Sequence, residues 1–143
     1  MPKNLTKRLL EIMPPHPGIE IPPKAFVDMD GEIVDYSEGE SLTARFPIKD
    51  RYQNPLGFMQ GGIIVAAIDN TVGPLSFLIA PPSFTTQLNT TYIRPVAPKD
   101  GFIEVKASVV EITKNQIHMS AEVRNTHGKL LATSFVTCSI IDR

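Results

Sequence analysis

The segment from Gly61 to Ile79 constrains the fold most, because it is almost wholly apolar or small and carries one formal charge, Asp69. Its apolar residues recur at intervals of three and four, which predicts an α-helix. The remaining faces are apolar too, which predicts a helix packed on most sides and kinked or restarted at Pro74. An unpaired carboxylate buried there costs on the order of several kcal/mol. Asp69 is therefore the first candidate functional residue.

Shorter elements flank this helix. Residues 4–13 predict an amphipathic helix capped by Asn4 or Thr6, and two strands are expected at residues 32–39 and 41–48. After the helix, four segments have β character, and short turns separate the last three, as in an antiparallel meander. These four segments span residues 83–96, 101–113, 115–125 and 129–141. The order predicts an α+β fold in which a curved antiparallel sheet wraps around a long central helix.

Chain length, net charge and cysteine count narrow the classes of function that the sequence allows. A chain of 143 residues predicts one main domain at 25–143, preceded by an N-terminal helix and proline-rich connector at 1–24. A net charge of −1 without a basic block predicts no nucleic-acid or membrane partner. Asp69 and Pro74 interrupt the only long apolar run, and the single cysteine, Cys138, forms no internal disulfide. We expect a cytoplasmic protein, and the spacing of its three histidines predicts no metal site.

Three stretches together carry a family resemblance: NPLGFMQGG at 54–62, DNTVG at 69–73 and TTQLNTTYIRP at 85–95. They resemble the PaaI-like acyl-CoA thioesterases of the hotdog-fold superfamily. That family's pattern is an Asn, then His-Gly-Gly six residues later, then a helical Asp nine residues after the His. Asn54, Gly61, Gly62 and Asp69 hold the matching positions, and Gln60 stands where the family usually has His.

The resemblance implies hydrolysis of an acyl-CoA or related acyl thioester without a metal or cofactor. Asp69 would be the general base or the nucleophile, and the Gly61 amide at the helix N-terminus would stabilise the oxyanion. Thr85 would orient the water, and Asn54 would fix the loop or orient Gln60. The family's site is composite, with the amide from one subunit and the carboxylate from another, so a homodimer or homotetramer is implied.

Alternatives stay open at this stage. A hydratase on the same fold usually pairs an Asp with a His, which Gln60 does not supply. A non-catalytic acyl-CoA-binding module also fits a Gln at this position, because an amide cannot take up a proton. For single residues, structural roles compete: Thr85 suits a strand, and Asn54 suits the turn before Pro55.

Overall fold

The structure, a computed structural model, describes residues 2–141 and, for residues 2–4, the backbone alone. It contains three α-helices and six β-strands in its described residues, with two short 3₁₀ turns between them. The helices are α1 (Pro2–Ile12), α2 (Lys24–Asp28) and α3 (Gly61–Ile79); the strands are β1 (Glu32–Ser37), β2 (Ser41–Pro47), β3 (Ser83–Tyr92), β4 (Phe102–Ile112), β5 (Gln116–Arg124) and β6 (Leu130–Ile140). The element order predicted for the strands and the central helix is confirmed.

The six strands form one antiparallel sheet in the order β1-β2-β4-β5-β6-β3. The meander predicted for β4, β5 and β6 is confirmed, since short turns connect these three neighbours. Strand β3 follows α3 but pairs with β6, so it lies at the edge of the sheet. One long side of β3 therefore has no strand beside it among the described residues, which positions everything attached to β3 at an open edge.

Helix α3 packs against the sheet through one strongly buried face. The three-to-four spacing identified this face correctly, and its buried members are Ile64, Ala67, Ile68, Thr71, Val72, Pro74, Leu75 and Ser76. The helix continues through Pro74, so the restart predicted as one of two possibilities is wrong, and the kink stays a prediction. At 19 residues and mean hydropathy 1.6, α3 is long and apolar enough to cross a membrane by length and composition alone. Its packing inside the sheet identifies it as the core helix.

The N-terminal segment differs most from the sequence-based expectation. Helix α1 begins at Pro2, so neither Asn4 nor Thr6 caps it, and the Asn4 side chain lies outside the described residues. The Thr6 hydroxyl instead accepts a 2.7 Å hydrogen bond from the backbone N–H of Ile33 on β1. Helix α2 was not predicted, because five residues directly after a proline pair are too few to show a period. Both helices contribute buried side chains to the core, among them Leu9 and Phe26.

Candidate active site

Asp69 lies on α3 where the helix passes the beginning of β3. The Thr85 hydroxyl, on β3, donates a 2.8 Å hydrogen bond to Asp69 Oδ1. Asp69 is exposed in the single chain, so the prediction that it is buried is wrong there. The apolar residues around Asp69 pack through the opposite face of the helix, and the face that carries Asp69 stays open. Asp69 also belongs to none of the ion pairs found among the described residues, so no side-chain cation in that part of the chain neutralises it.

The N-terminus of α3 carries the predicted glycine pair. Gln60 is the N-cap residue and is exposed, and its side chain makes no capping hydrogen bond. Its carbonyl accepts hydrogen bonds from the N–H groups of Ile63 and Ile64 at 3.0 and 3.2 Å. Within residues 2–141, no acceptor takes the N–H of Gly61 or Gly62, as expected for the first turn of a helix. These two amides are therefore free donors at the positive end of the helix dipole.

Tyr92 at the end of β3 covers Gly61. Its hydroxyl donates a 2.9 Å hydrogen bond to the Gly61 carbonyl oxygen. A Cβ atom at position 61 would lie 3.0 Å from that hydroxyl oxygen and 3.1 Å from the ring carbon Cζ, so only glycine fits without displacing the tyrosine. A Cβ atom at Gly62 would meet no atom within 4 Å. The two glycines therefore differ: close packing explains Gly61, and no packing in the chain requires Gly62.

Asn54 organises the loop that leads into α3. Its side-chain oxygen accepts hydrogen bonds from the backbone N–H groups of Leu56 and Phe58, at 2.9 and 3.1 Å. Its own N–H donates to the Phe58 carbonyl at 2.7 Å. These contacts hold the loop in its conformation, and none of the hydrogen bonds of the described residues joins Asn54 to the Gln60 side chain.

The two halves of the candidate site do not meet within one chain. Gly61 and Asp69 are eight residues apart on α3, a rise of about 12 Å along the helix axis. Their partners on β3 are separated too, since Thr85 near the start of the strand holds Asp69 and Tyr92 at its end covers Gly61. The structure thus brings Asp69 and Thr85 together, and separately Gly61 and Tyr92.

A groove of about 450 Å³ opens beside the Gly61 end. Its lining is mainly apolar and includes Phe58, Met59 and Ile64. Arg94 also lines it, and one of its guanidinium nitrogens donates a 2.6 Å hydrogen bond to the Leu130 carbonyl, which holds the side chain in place. A larger cavity of about 740 Å³ lies between α1, α2 and the start of β1, but none of the predicted site residues lines it.

Sequence reasoning missed two neighbours of the site. Tyr92 belongs to the quoted TTYIRP stretch, yet only the fold brings it onto Gly61. Cys138 on β6 stands directly opposite Thr85 in the strand register, and its sulfur lies 3.7 Å from the Thr85 hydroxyl oxygen. Burial raises the pKa of the Cys138 thiol, and the charge of Asp69 adds to this, while the neighbouring hydroxyls of Thr85 and Ser83 partly oppose it. No local sequence pattern predicts either contact, because the two contacts depend on strand register and on packing across the fold.

Solved structures with the same fold define the class to which this protein belongs. Three solved structures share the fold at low sequence identity, namely thioesterase HI1161 from Haemophilus influenzae, the PaaI protein from E. coli and smu.793 from Streptococcus mutans bound to acetyl CoA. Their TM-scores are 0.80, 0.78 and 0.74, at 20%, 15% and 17% identity. The matches cover 96%, 85% and 90% of this chain, and 90%, 86% and 97% of the respective structures. The chain therefore has the hotdog fold of the PaaI-type proteins.

The family follows from the sequence. The model of the Thioesterase superfamily matches residues 56–132, which is more than half of the chain. The chain belongs to the Thioesterase superfamily, and the matched range begins in the Asn54 loop and includes α3 and β3. The general activity that this family indicates is hydrolysis of an acyl thioester.

Proposed function

We propose that this protein hydrolyses an acyl-CoA to the free acid and coenzyme A, at a site shared by two subunits. One observation carries the proposal: an available carboxylate and two free helix N-terminal amides lie at opposite ends of the same edge strand, β3. The carboxylate is that of Asp69, and the amides are those of Gly61 and Gly62. Membership of the Thioesterase superfamily supports the reaction type.

The geometry around Asp69 suits a base or a nucleophile. An exposed carboxylate with no cationic partner among residues 5–141 keeps its lone pairs available to a water molecule or to an acyl carbon. The Thr85 hydroxyl occupies one lone pair of Oδ1 and so limits how the carboxylate group can rotate. The second oxygen, Oδ2, is the atom we assign to the reaction.

The N-terminus of α3 is suited to stabilise the negative charge that develops on the substrate during the reaction. When the thioester is attacked, its carbonyl oxygen gains charge that free N–H donors stabilise, and one such donor contributes about 3–4 kcal/mol of barrier lowering. The helix dipole acts in the same direction. The Tyr92 hydroxyl holds the Gly61 carbonyl at 2.9 Å, which fixes the orientation of the first peptide of the helix before substrate binds.

Pairing of the β3 edges of two subunits would bring the two halves of the candidate site together. The open side of an edge strand is a template for another strand, and β3 offers ten residues with Phe84 56% exposed and Tyr92 51% exposed. Thr85 and Tyr92 are seven residues apart, about 24 Å along the strand. Antiparallel pairing about a two-fold axis between Leu88 and Asn89 would put Thr85 of one subunit opposite the partner's Tyr92. Each Asp69 would then approach a Gly61 end that belongs to the other subunit.

The groove beside Gly61 suggests how the substrate is held. Its apolar lining suits an acyl chain or the pantetheine arm, and the guanidinium of Arg94 suits a phosphate. A related structure, smu.793, is bound to acetyl CoA, which supports coenzyme A as the carrier. A coenzyme A substrate and a single unpaired cysteine also fit a cytoplasmic location, which we propose with it.

The test is a hydrolysis screen over short, long and aromatic acyl-CoAs, with a thiol-reactive reporter for the released coenzyme A. We expect turnover of at least one substrate, and turnover at least about a hundredfold lower for Asp69→Asn. Arg94→Gln should raise KM for the acyl-CoA and leave KM for the matching acyl-pantetheine unchanged, because the latter lacks the nucleotide phosphates. Tight binding of acyl-CoA without turnover would replace the proposal with a binding module.

A further inference from the structure

The side chain of Cys138 lies behind the Thr85–Asp69 pair and has no role in the proposed reaction. Cys138 is 2% exposed and stands directly opposite Thr85 across the β3–β6 pairing. Its sulfur is 3.7 Å from the Thr85 hydroxyl oxygen, within the range of a hydrogen bond to sulfur. The three side chains thus form a continuous row from the sheet interior to the exposed carboxylate.

The direction of the hydrogen bonds in this row follows from the number of protons available. An ionised carboxylate can only accept, so the Thr85 hydroxyl uses its single proton on Asp69 Oδ1 at 2.8 Å. Toward Cys138 the hydroxyl oxygen can then only accept, and the thiol has to be the donor. Burial, reinforced by the nearby charge of Asp69, raises the pKa of the thiol and keeps its proton in place.

We propose that Cys138 is a positioning residue, whose S–H donates to the Thr85 hydroxyl and thereby fixes that hydroxyl on Asp69 Oδ1. Without the thiol, the hydroxyl rotates more freely about the Thr85 side chain, and Asp69 loses part of its orientation. Cys138 acts only through Thr85 and touches no substrate. The inference rests on the proposed function for its catalytic consequence and on the strand register for its geometry.

The S–H stretching vibration tests the contact without any activity. Because the chain has one cysteine, the S–H band in an infrared or Raman spectrum reports Cys138 alone. We expect a band shifted to lower frequency than that of a free thiol, and a return to the free position in Thr85→Val. Thr90→Val is the matched control, since Thr90 lies on the same strand but bonds to Ser134. A band that does not respond to Thr85→Val overturns the inference.

A double-mutant cycle tests the role. We expect Cys138→Ala to lower kcat about three- to tenfold in the wild-type background, and less than about twofold in a Thr85→Val background. Cys138→Ser keeps a donor and should retain more turnover than Cys138→Ala, with KM unchanged in both. An equal loss in both backgrounds overturns the positioning role. A Thr85-dependent band in a protein without turnover would instead refute the proposed function and leave the hydrogen-bonded row intact.

Discussion

Alanine at Gly61 and alanine at Gly62 should have different effects on stability, although the two residues are neighbours in one helix. Replacing a helical glycine with alanine stabilises by about 0.5–1 kcal/mol, because the unfolded chain loses freedom. At Gly62 a Cβ atom meets nothing within 4 Å, so the full gain is expected. At Gly61 the Cβ atom would lie 3.0 Å from the Tyr92 hydroxyl oxygen and 3.1 Å from Cζ, and the ring has to move by a few tenths of an ångström.

This displacement strains the hydrogen bond from Tyr92 to the Gly61 carbonyl, whose loss costs about 1 kcal/mol. Gly61→Ala should therefore be less stable than Gly62→Ala by about 1 kcal/mol, or about 3 °C in Tm for a domain of this size. Thermal unfolding at one fixed protein concentration measures the difference, since the midpoint of an oligomer depends on concentration.

The Tyr92→Ala background provides the control, because it removes the atoms that the new Cβ would meet. There the two alanine variants should be equally stable. Turnover should fall at least about tenfold in Gly61→Ala, since a displaced Tyr92 no longer fixes the first peptide of the helix, and complete loss of one oxyanion donor costs 10²–10³. Equal stability of the two variants in the presence of Tyr92 would refute the packing argument.

Three further outcomes are expected. The free energy of unfolding of Asp69→Asn, measured by denaturant midpoints, should lie within about 1 kcal/mol of the wild-type value. Position 69 is exposed, and the asparagine loses the charge but keeps a hydrogen-bond acceptor for Thr85. Gln60→His should change turnover less than Asp69→Asn does, in a pH–rate comparison, if position 60 only orients the helix start; a large gain from His would instead indicate a missing proton carrier. Because burial raises the pKa of Cys138 above its ordinary 9.0, the folded state holds the thiol proton more tightly, so the free energy of unfolding should fall as pH rises through 9, and less steeply in Cys138→Ala.

The strand pattern and the buried face of α3 could be predicted because each rests on a local period. Ile64, Ala67 and Ile68 recur at helical spacing and are buried as expected. The meander of β4, β5 and β6 follows from short connections, which favour antiparallel neighbours. The position of β3 beside β6 could not be read locally, because a strand that follows a long helix can return to either edge of the sheet.

The site was predicted less completely for the same reason. The family resemblance pointed to Asn54, Gly61 and Asp69 as the loop, the helix start and the carboxylate of the candidate site. It did not reveal that Asp69 is exposed, because exposure depends on which face of α3 the sheet covers. Contacts between Thr85 and Cys138 and between Tyr92 and Gly61 depend on strand register and on packing across the fold.

Mixing two inactive variants tests the central claim most directly. Asp69→Asn removes the carboxylate, and Gly61→Val blocks the helix start against Tyr92. If the site combines Asp69 of one subunit with Gly61 of the other, random exchange makes half of the dimers mixed, and each mixed dimer has one intact site. Turnover should then recover to about a quarter of the wild-type value. With exchange verified by mass spectrometry of tagged subunits, a mixture that stays inactive would contradict the account.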